Sequence, residues 1–216
     1  MRNCIRVSLA GTGLLLVALL VGTAVRADDP HMTAAEAAAL PKWCLVYNQT
    51  SNLAPHFTKD PELAAKLAGF LRSGCGGHHH YCWALVWANR GYFRDESSPT
   101  PANHYYGVAL GDFGYTIGNS RDTCSLLPDI YTKSGELQAA MGHPKEAEAL
   151  FRKVIGLKPS YAPAYVGLSD LFESQDKSDE AITALQAGIK INPNSSALKK
   201  KLARVQARTS GQVPTP

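Results

Sequence analysis

The stretch CGGHHHYCW, from Cys75 to Trp83, concentrates the side chains best suited to chemistry. Two cysteines bracket three consecutive histidines, and a tryptophan follows. Covalent haem attachment needs C-x-x-C-H; here six residues separate the cysteines and no histidine follows the second. A thioredoxin-like redox pair needs C-x-x-C beside a strand and helix, and neither is present. Zinc competes better. His78 and Cys82 share one helical face and Cys75 returns across a Gly-Gly turn, but no closed tetrahedral set is formed. Disulfide scaffolding is the remaining use, with the histidines packed at a helix start. There, His79 and His80 would bond the PKW segment or line a shallow pocket with Trp43, Trp83 and Trp87.

The choice depends on the compartment. Arg2 and Arg6 precede an apolar run over residues 7–25, and Val25-Arg26-Ala27 suits signal peptidase. This predicts a signal peptide over 1–27, cut after Ala27, with a retained anchor as the alternative; the remainder lies outside the cytoplasm in both cases. The whole chain carries 22 Lys and Arg against 18 Asp and Glu, net +4, but Arg2, Arg6 and Arg26 all lie in the leader. Residues 28–216 are therefore near neutral, and nothing favours nucleic acid. Cys4 leaves with the leader. Cys44, Cys75, Cys82 and Cys124 remain, and an even number in an exported chain predicts two disulfides with three possible connectivities. The segments DES and SRD offer no catalytic triad, so neither an enzyme nor a cofactor is expected.

The elements that position these residues are helical. Pro159 and Pro193 are 34 apart, as are Tyr131 and Tyr165, Ala147 and Ala181, and Phe151 and Leu185. Such a period means stacked helix pairs. Pro128, Pro144 and Pro163 sit where a first helical turn accepts proline, and Ser178 is placed to cap the helix beginning at Asp179. After Pro193, Leu198, Leu202 and Val205 form an apolar stripe opposite Lys199, Lys200, Arg204 and Arg208. That is a terminal capping helix, and the tail over 209–216 has nothing to bury. Upstream, Thr33 with Glu36 makes a capping box, and Asp60-Pro61 opens a helix that ends at Gly74.

Tyr131, Gly135, Gly142, Ala147, Phe151 and Pro159 resemble the tetratricopeptide (TPR) signature. The second copy matches at Tyr165, Leu168, Phe172, Ala181 and Pro193, and departs at Ser169 and Asp176. The resemblance implies antiparallel helix pairs stacked in a right-handed superhelix. The expected fold is all-α: a TPR helical-hairpin solenoid of about three pairs plus a capping helix, preceded by an irregular helical, disulfide-tied segment. The units are 28–78 (irregular), 79–126 (degenerate TPR), 127–160, 161–194, and the capping helix 195–208. LPKWC at Leu40 to Cys44 and HHYCWAL at His79 to Leu85 are similar to motifs of small exported bacterial TPR proteins. This likeness implies pairing of Cys44 with Cys82 and of Cys75 with Cys124; the alternative is Cys75–Cys82 with Cys44–Cys124.

In TPR proteins the first helix of each pair lines a concave groove. The resemblance places Asp129, Thr132, Glu136, Val166, Asp170 and Glu173 there, joined by Lys200, Arg204 and Arg208 from the capping helix. The groove is then acidic in its middle and basic at its C-terminal end. It lacks the Lys, Arg and Asn set with which some TPR proteins clamp a peptide carboxylate. These charges either meet a ligand, or Lys200 and Arg204 neutralise Asp170 and Glu173 within the stack. The expected function is an exported scaffold for protein–protein interaction or assembly in the bacterial envelope. Its partner would be an envelope protein or peptide, with no nucleic acid and no membrane insertion after leader cleavage. The alternative is a zinc protein using Cys75, His78 and Cys82.

Overall fold

Helix starts follow the local chemistry. The computed structural model describes residues 32–46, 59–94, 96 and 98–211, so the leader and residues 212–216 of the tail lie outside it. In α1 (Ala34–Ala39), Thr33 N–H donates to Glu36 Oε2 at 2.8 Å and Glu36 N–H donates to Thr33 Oγ1 at 3.2 Å. This reciprocal box satisfies two otherwise orphaned donors. A short 3-10 helix (Lys42–Leu45) follows. Asp60 caps α2 (Pro61–Arg72), accepting from Glu62 N–H at 2.9 Å and Leu63 N–H at 3.1 Å.

Three helix pairs and a final helix come next. They are α3 (His78–Tyr92) with α4 (Ala102–Gly118), α5 (Leu127–Ala140) with α6 (Pro144–Leu157), α7 (Ala162–Glu173) with α8 (Ser178–Ile191), and then α9 (Ser196–Thr209). Pro128, Pro144 and Pro163 lie in the first turns of α5, α6 and α7, where the missing N–H costs nothing. One cap differs from expectation. Asp176 adopts φ 59° and Lys177 takes the cap of α8, so Ser178 is the first helical residue and makes no capping bond. Thr209 likewise belongs to α9 rather than to the tail, its hydroxyl donating to Val205 O at 3.0 Å.

The pairs are joined by interdigitating small and large side chains. Phe151 of α6 is 1% exposed. A Cβ added at Gly135 or Gly167 would stand 2.8 or 2.5 Å from its ring, so α5 and α7 approach it only because both positions are glycine. Buried Ala147, Tyr165, Leu168, Ala181, Leu185, Leu198 and Val205 continue this core to α9. The side formed by α5, α7 and α9 is in continuous contact, whereas α6 and α8 hardly touch. The stack therefore curves toward its first helices, giving them the concave face.

The irregular N-terminal part is fastened to the first pair. Trp43 lies 4.8 Å from Phe70 and stacks on Tyr81 at 5.4 Å, centroid to centroid. Arg90 Nε donates to Glu36 Oε1 at 2.5 Å, which ties α1 to α3. Disulfides join Cys44 to Cys82 and Cys75 to Cys124.

Candidate partner-binding groove

The cysteine–histidine stretch is structural. Cys75 and Cys82 belong to different disulfides, so neither offers the thiolate that zinc requires. Among the described residues no group of three His, Cys, Asp or Glu side chains is placed to hold a metal. The zinc reading of Cys75, His78 and Cys82 is thereby corrected. The stretch instead docks on the turn after α4. Arg121 N–H donates to Gly74 O at 2.8 Å, Gly76 N–H to Ser120 Oγ at 3.1 Å, and Thr116 Oγ1 to Gly77 O at 3.1 Å. A Cβ on Gly76 would meet Asn119 O at 2.0 Å, so only glycine fits.

His79 and His80 face α4 rather than the PKW segment. His80 Nδ1 is 2.5 Å from Asp112 Oδ1, and its ring lies 4.0 Å from that of Tyr115. Burial, and then the neighbouring imidazole, holds His78 and His79 below the usual histidine value of 6.5. Trp83 and Trp87 stack with each other and Trp87 with Tyr105, while Trp43 packs elsewhere on Tyr81. The shared tryptophan pocket therefore does not form.

The concave face is built by the first helices of the pairs. Asp129 accepts from Tyr81 Oη at 2.6 Å and from Tyr161 Oη at 3.2 Å. Its carboxylate thus ties α3 and the start of α7 to α5. Burial, followed by the Asp129 charge, pushes the Tyr161 phenol well above its ordinary value of 10. Thr132 is not in the groove: it is 2% exposed and its hydroxyl donates to Pro128 O at 2.8 Å. Val166 is partly buried against the second core.

Glu136 remains open to solvent and makes no ion pair among the described residues. Desolvation by the crowded groove walls is the largest influence raising its pKa above 4.5. Asp129 and Asp170 raise it further, and Lys133 offsets only part of this. The floor of a concave face is crowded without being sealed, which reconciles solvent access with this desolvation. Tyr92, 46% exposed, feels the Glu136 charge from α3.

At the C-terminal end a cleft of ≈380 Å³ is lined by Asp170, Glu173, Ser174, Lys201, Arg204 and Arg208. Lys201 donates to both Asp170 and Glu173, and Arg208 Nη1 pairs with Glu173 Oε1 at 2.9 Å. The neutralising lysine is therefore Lys201. Lys200 is exposed and lies outside the cleft. Lys201 sits between Leu198 and Val205 on the buried face of α9; its alkyl stem runs along the apolar stripe while its ammonium reaches the carboxylates. Arg204 lines the same cleft and makes no ion pair among the described residues.

Repeat positions alone do not point to Lys201, Lys133, Tyr81, Tyr92 or Tyr161. For Lys201 a signal existed: it is three residues from Leu198 and four from Val205, on the buried stripe.

Residues 129–205 match the tetratricopeptide repeat family. With the all-helical architecture, this makes the stack a TPR helical-hairpin solenoid. No curated protein matches the chain. Similar solved structures include the first TPR of Spaghetti (RPAP3) bound to HSP90 peptide SRMEEVD. It has 17% identity and a TM-score of 0.42, covering 60% of this chain and 98% of that one. The first TPR domain of human RPAP3 has 19% identity and a TM-score of 0.43, covering 63% and 97%. The Sgt2 TPR domain from Aspergillus fumigatus has 16% identity and a TM-score of 0.42, covering 62% and 85%.

Proposed function

We propose that this chain is an exported scaffold that holds a protein or peptide partner on the concave face of its repeats, in the bacterial envelope, without catalysing a reaction. The observation that carries the reading is the arrangement of the first helices. They converge on one charged face whose Glu136 and Arg204 make no ion pair among the described residues, while Asp129, Asp170, Glu173, Lys201 and Arg208 are matched internally. Charges left open beside satisfied neighbours are what a binding surface offers to a partner. The match to an interaction-repeat family supports the same reading.

Export is supported by the leader pattern over 1–27 and by two disulfides, which persist in oxidising compartments. The likeness of LPKWC and HHYCWAL to exported bacterial TPR proteins agrees with it. A non-catalytic role is supported by the cysteines, which are held in disulfides and are not free nucleophiles.

The test is affinity recovery from envelope extracts with the wild-type protein and a Glu136→Lys/Arg204→Glu variant of unchanged circular dichroism and melting. A discrete protein retained by the wild type and lost by the variant is expected. Equal recovery by both contradicts the reading. N-terminal sequencing of the envelope fraction should begin at Asp28; recovery only from the cytoplasm contradicts export.

A further inference from the structure

Resting on that reading, we infer that the groove accepts an extended partner segment with two charges of opposite sign in a set spacing. A Lys or Arg side chain meets Glu136 near Tyr92. An Asp or Glu side chain about five or six residues away meets Arg204.

The charge pattern follows from which groups are already satisfied. Asp129 has two phenols on its oxygens. Asp170 and Glu173 share Lys201, and Glu173 also holds Arg208. Among the described residues this leaves Glu136 as an open carboxylate in the middle of the face, with Lys133 one turn before it on α5, and Arg204 as an open guanidinium at the end. Tyr92, half-exposed on α3, lies within electrostatic range of Glu136. An open carboxylate favours a cation over any neutral group. Burial with Asp129 and Asp170 outweighs the Lys133 charge at Glu136, so a second anion is disfavoured there. Arg204 lines a cleft wide enough to admit a side chain, and its planar fork matches a carboxylate.

The spacing follows from the architecture. Glu136 is on α5 and Arg204 on α9, with α7 in contact with both helices. Packed helices stand about 8–10 Å apart, so two steps separate the charges by roughly 16–20 Å. An extended chain advances about 3.3 Å per residue, which gives about five or six residues. A segment with the two charges interchanged would set like against like at both ends, a mismatch that discriminates between partners.

The experiment is selection of a display library of random 12-residue peptides on the purified full chain. Dissociation constants of the enriched peptides are then measured by fluorescence anisotropy for the wild type, Glu136→Lys, Arg204→Glu and Tyr92→Ala. Each variant is first checked for unchanged cooperative unfolding. The proposal expects enriched peptides with Lys or Arg and, five or six residues away, Asp or Glu. It expects each charge reversal to weaken them at least tenfold, and Glu136→Lys to reselect peptides with the first charge inverted and the second kept. Peptides that need Tyr92 but ignore both charge reversals overturn this inference and leave a groove that binds partners. Peptides indifferent to all three variants, or no enrichment at all, overturn both.

Discussion

Truncating Phe151 to alanine would empty a site shared by α5, α6 and α7. Large-to-small changes at such positions cost about 3–5 kcal/mol. Urea unfolding should show a loss of that order, and Gly167→Ala should also destabilise, since its Cβ would clash with the same ring. Lys201 allows a sharper comparison. Lys201→Ala leaves the carboxylates of Asp170 and Glu173 facing each other, so it should cost about 1–3 kcal/mol, whereas Lys200→Ala should change stability by less than about 0.5 kcal/mol. Equal effects would contradict the register of α9. The TPR resemblance implied that Asp170 and Glu173 face the groove on α7, and the structure shows both lining its C-terminal cleft. The identity of their partner was not legible, because an apolar stripe with a lysine in it reads first as a solvated face. Thr132 was misplaced for a related reason: its residue type fits a groove, but its hydroxyl is consumed by the Pro128 carbonyl.

At the scale of elements, the repeats were more legible than the segment before them. A 34-residue period with prolines at helix starts is a strong, redundant signal, and only one cap in it moved, at Ser178. The Cys75–Trp83 stretch was ambiguous because residue types alone do not tell a ligand set from a fastening. What decides it is contact with residues 116–124, and that contact is invisible in local spacing. The two disulfides close separations of 38 and 49 residues, and each contributes about 2–4 kcal/mol. Free-thiol counting under denaturing conditions should find none of the four cysteines reactive, and a reductant should lower the melting temperature by loosening α1 to α4 first. The first pair should also be acid-sensitive. His78 and His79 have folded-state pKa values below 6.5, so the unfolded chain binds those protons more readily. Stability from their neutral forms is full above 6.5 and is lost as pH falls below it. Burial raises the Glu36 pKa, but the bonds from Arg90 and Thr33 outweigh this and leave it below 4.5. Its contribution is present above 4.5 and is lost at still lower pH. Hydrogen exchange across this range should show α3 deprotecting before α7; simultaneous deprotection would contradict this ordering.

For the whole molecule, curvature and charge together define the account. Contact among α5, α7 and α9 draws the first helices inward, which gathers charges that lie far apart in sequence onto one face. The sign pattern, acidic centre and basic end, was implied by the TPR resemblance. Which charges stay open was not, because internal pairing by Tyr81, Tyr161, Lys201 and Arg208 depends on the stacked structure. Partner affinity should carry a pH signature from this crowding. Lys133, Asp129 and Asp170 surround Glu136, with Tyr92 and Tyr161 alongside, and its pKa is raised above 4.5. Binding of a cationic segment should therefore weaken as pH falls through that raised value, and Glu136→Gln should abolish the dependence. The most direct test of the central claim is site-specific photo-crosslinking in intact cells, with a benzoylphenylalanine replacing half-exposed Tyr92, within electrostatic range of Glu136, or exposed Leu157 on α6. The account predicts a discrete crosslinked partner from position 92 alone; no product there, or the same product from position 157, would contradict it.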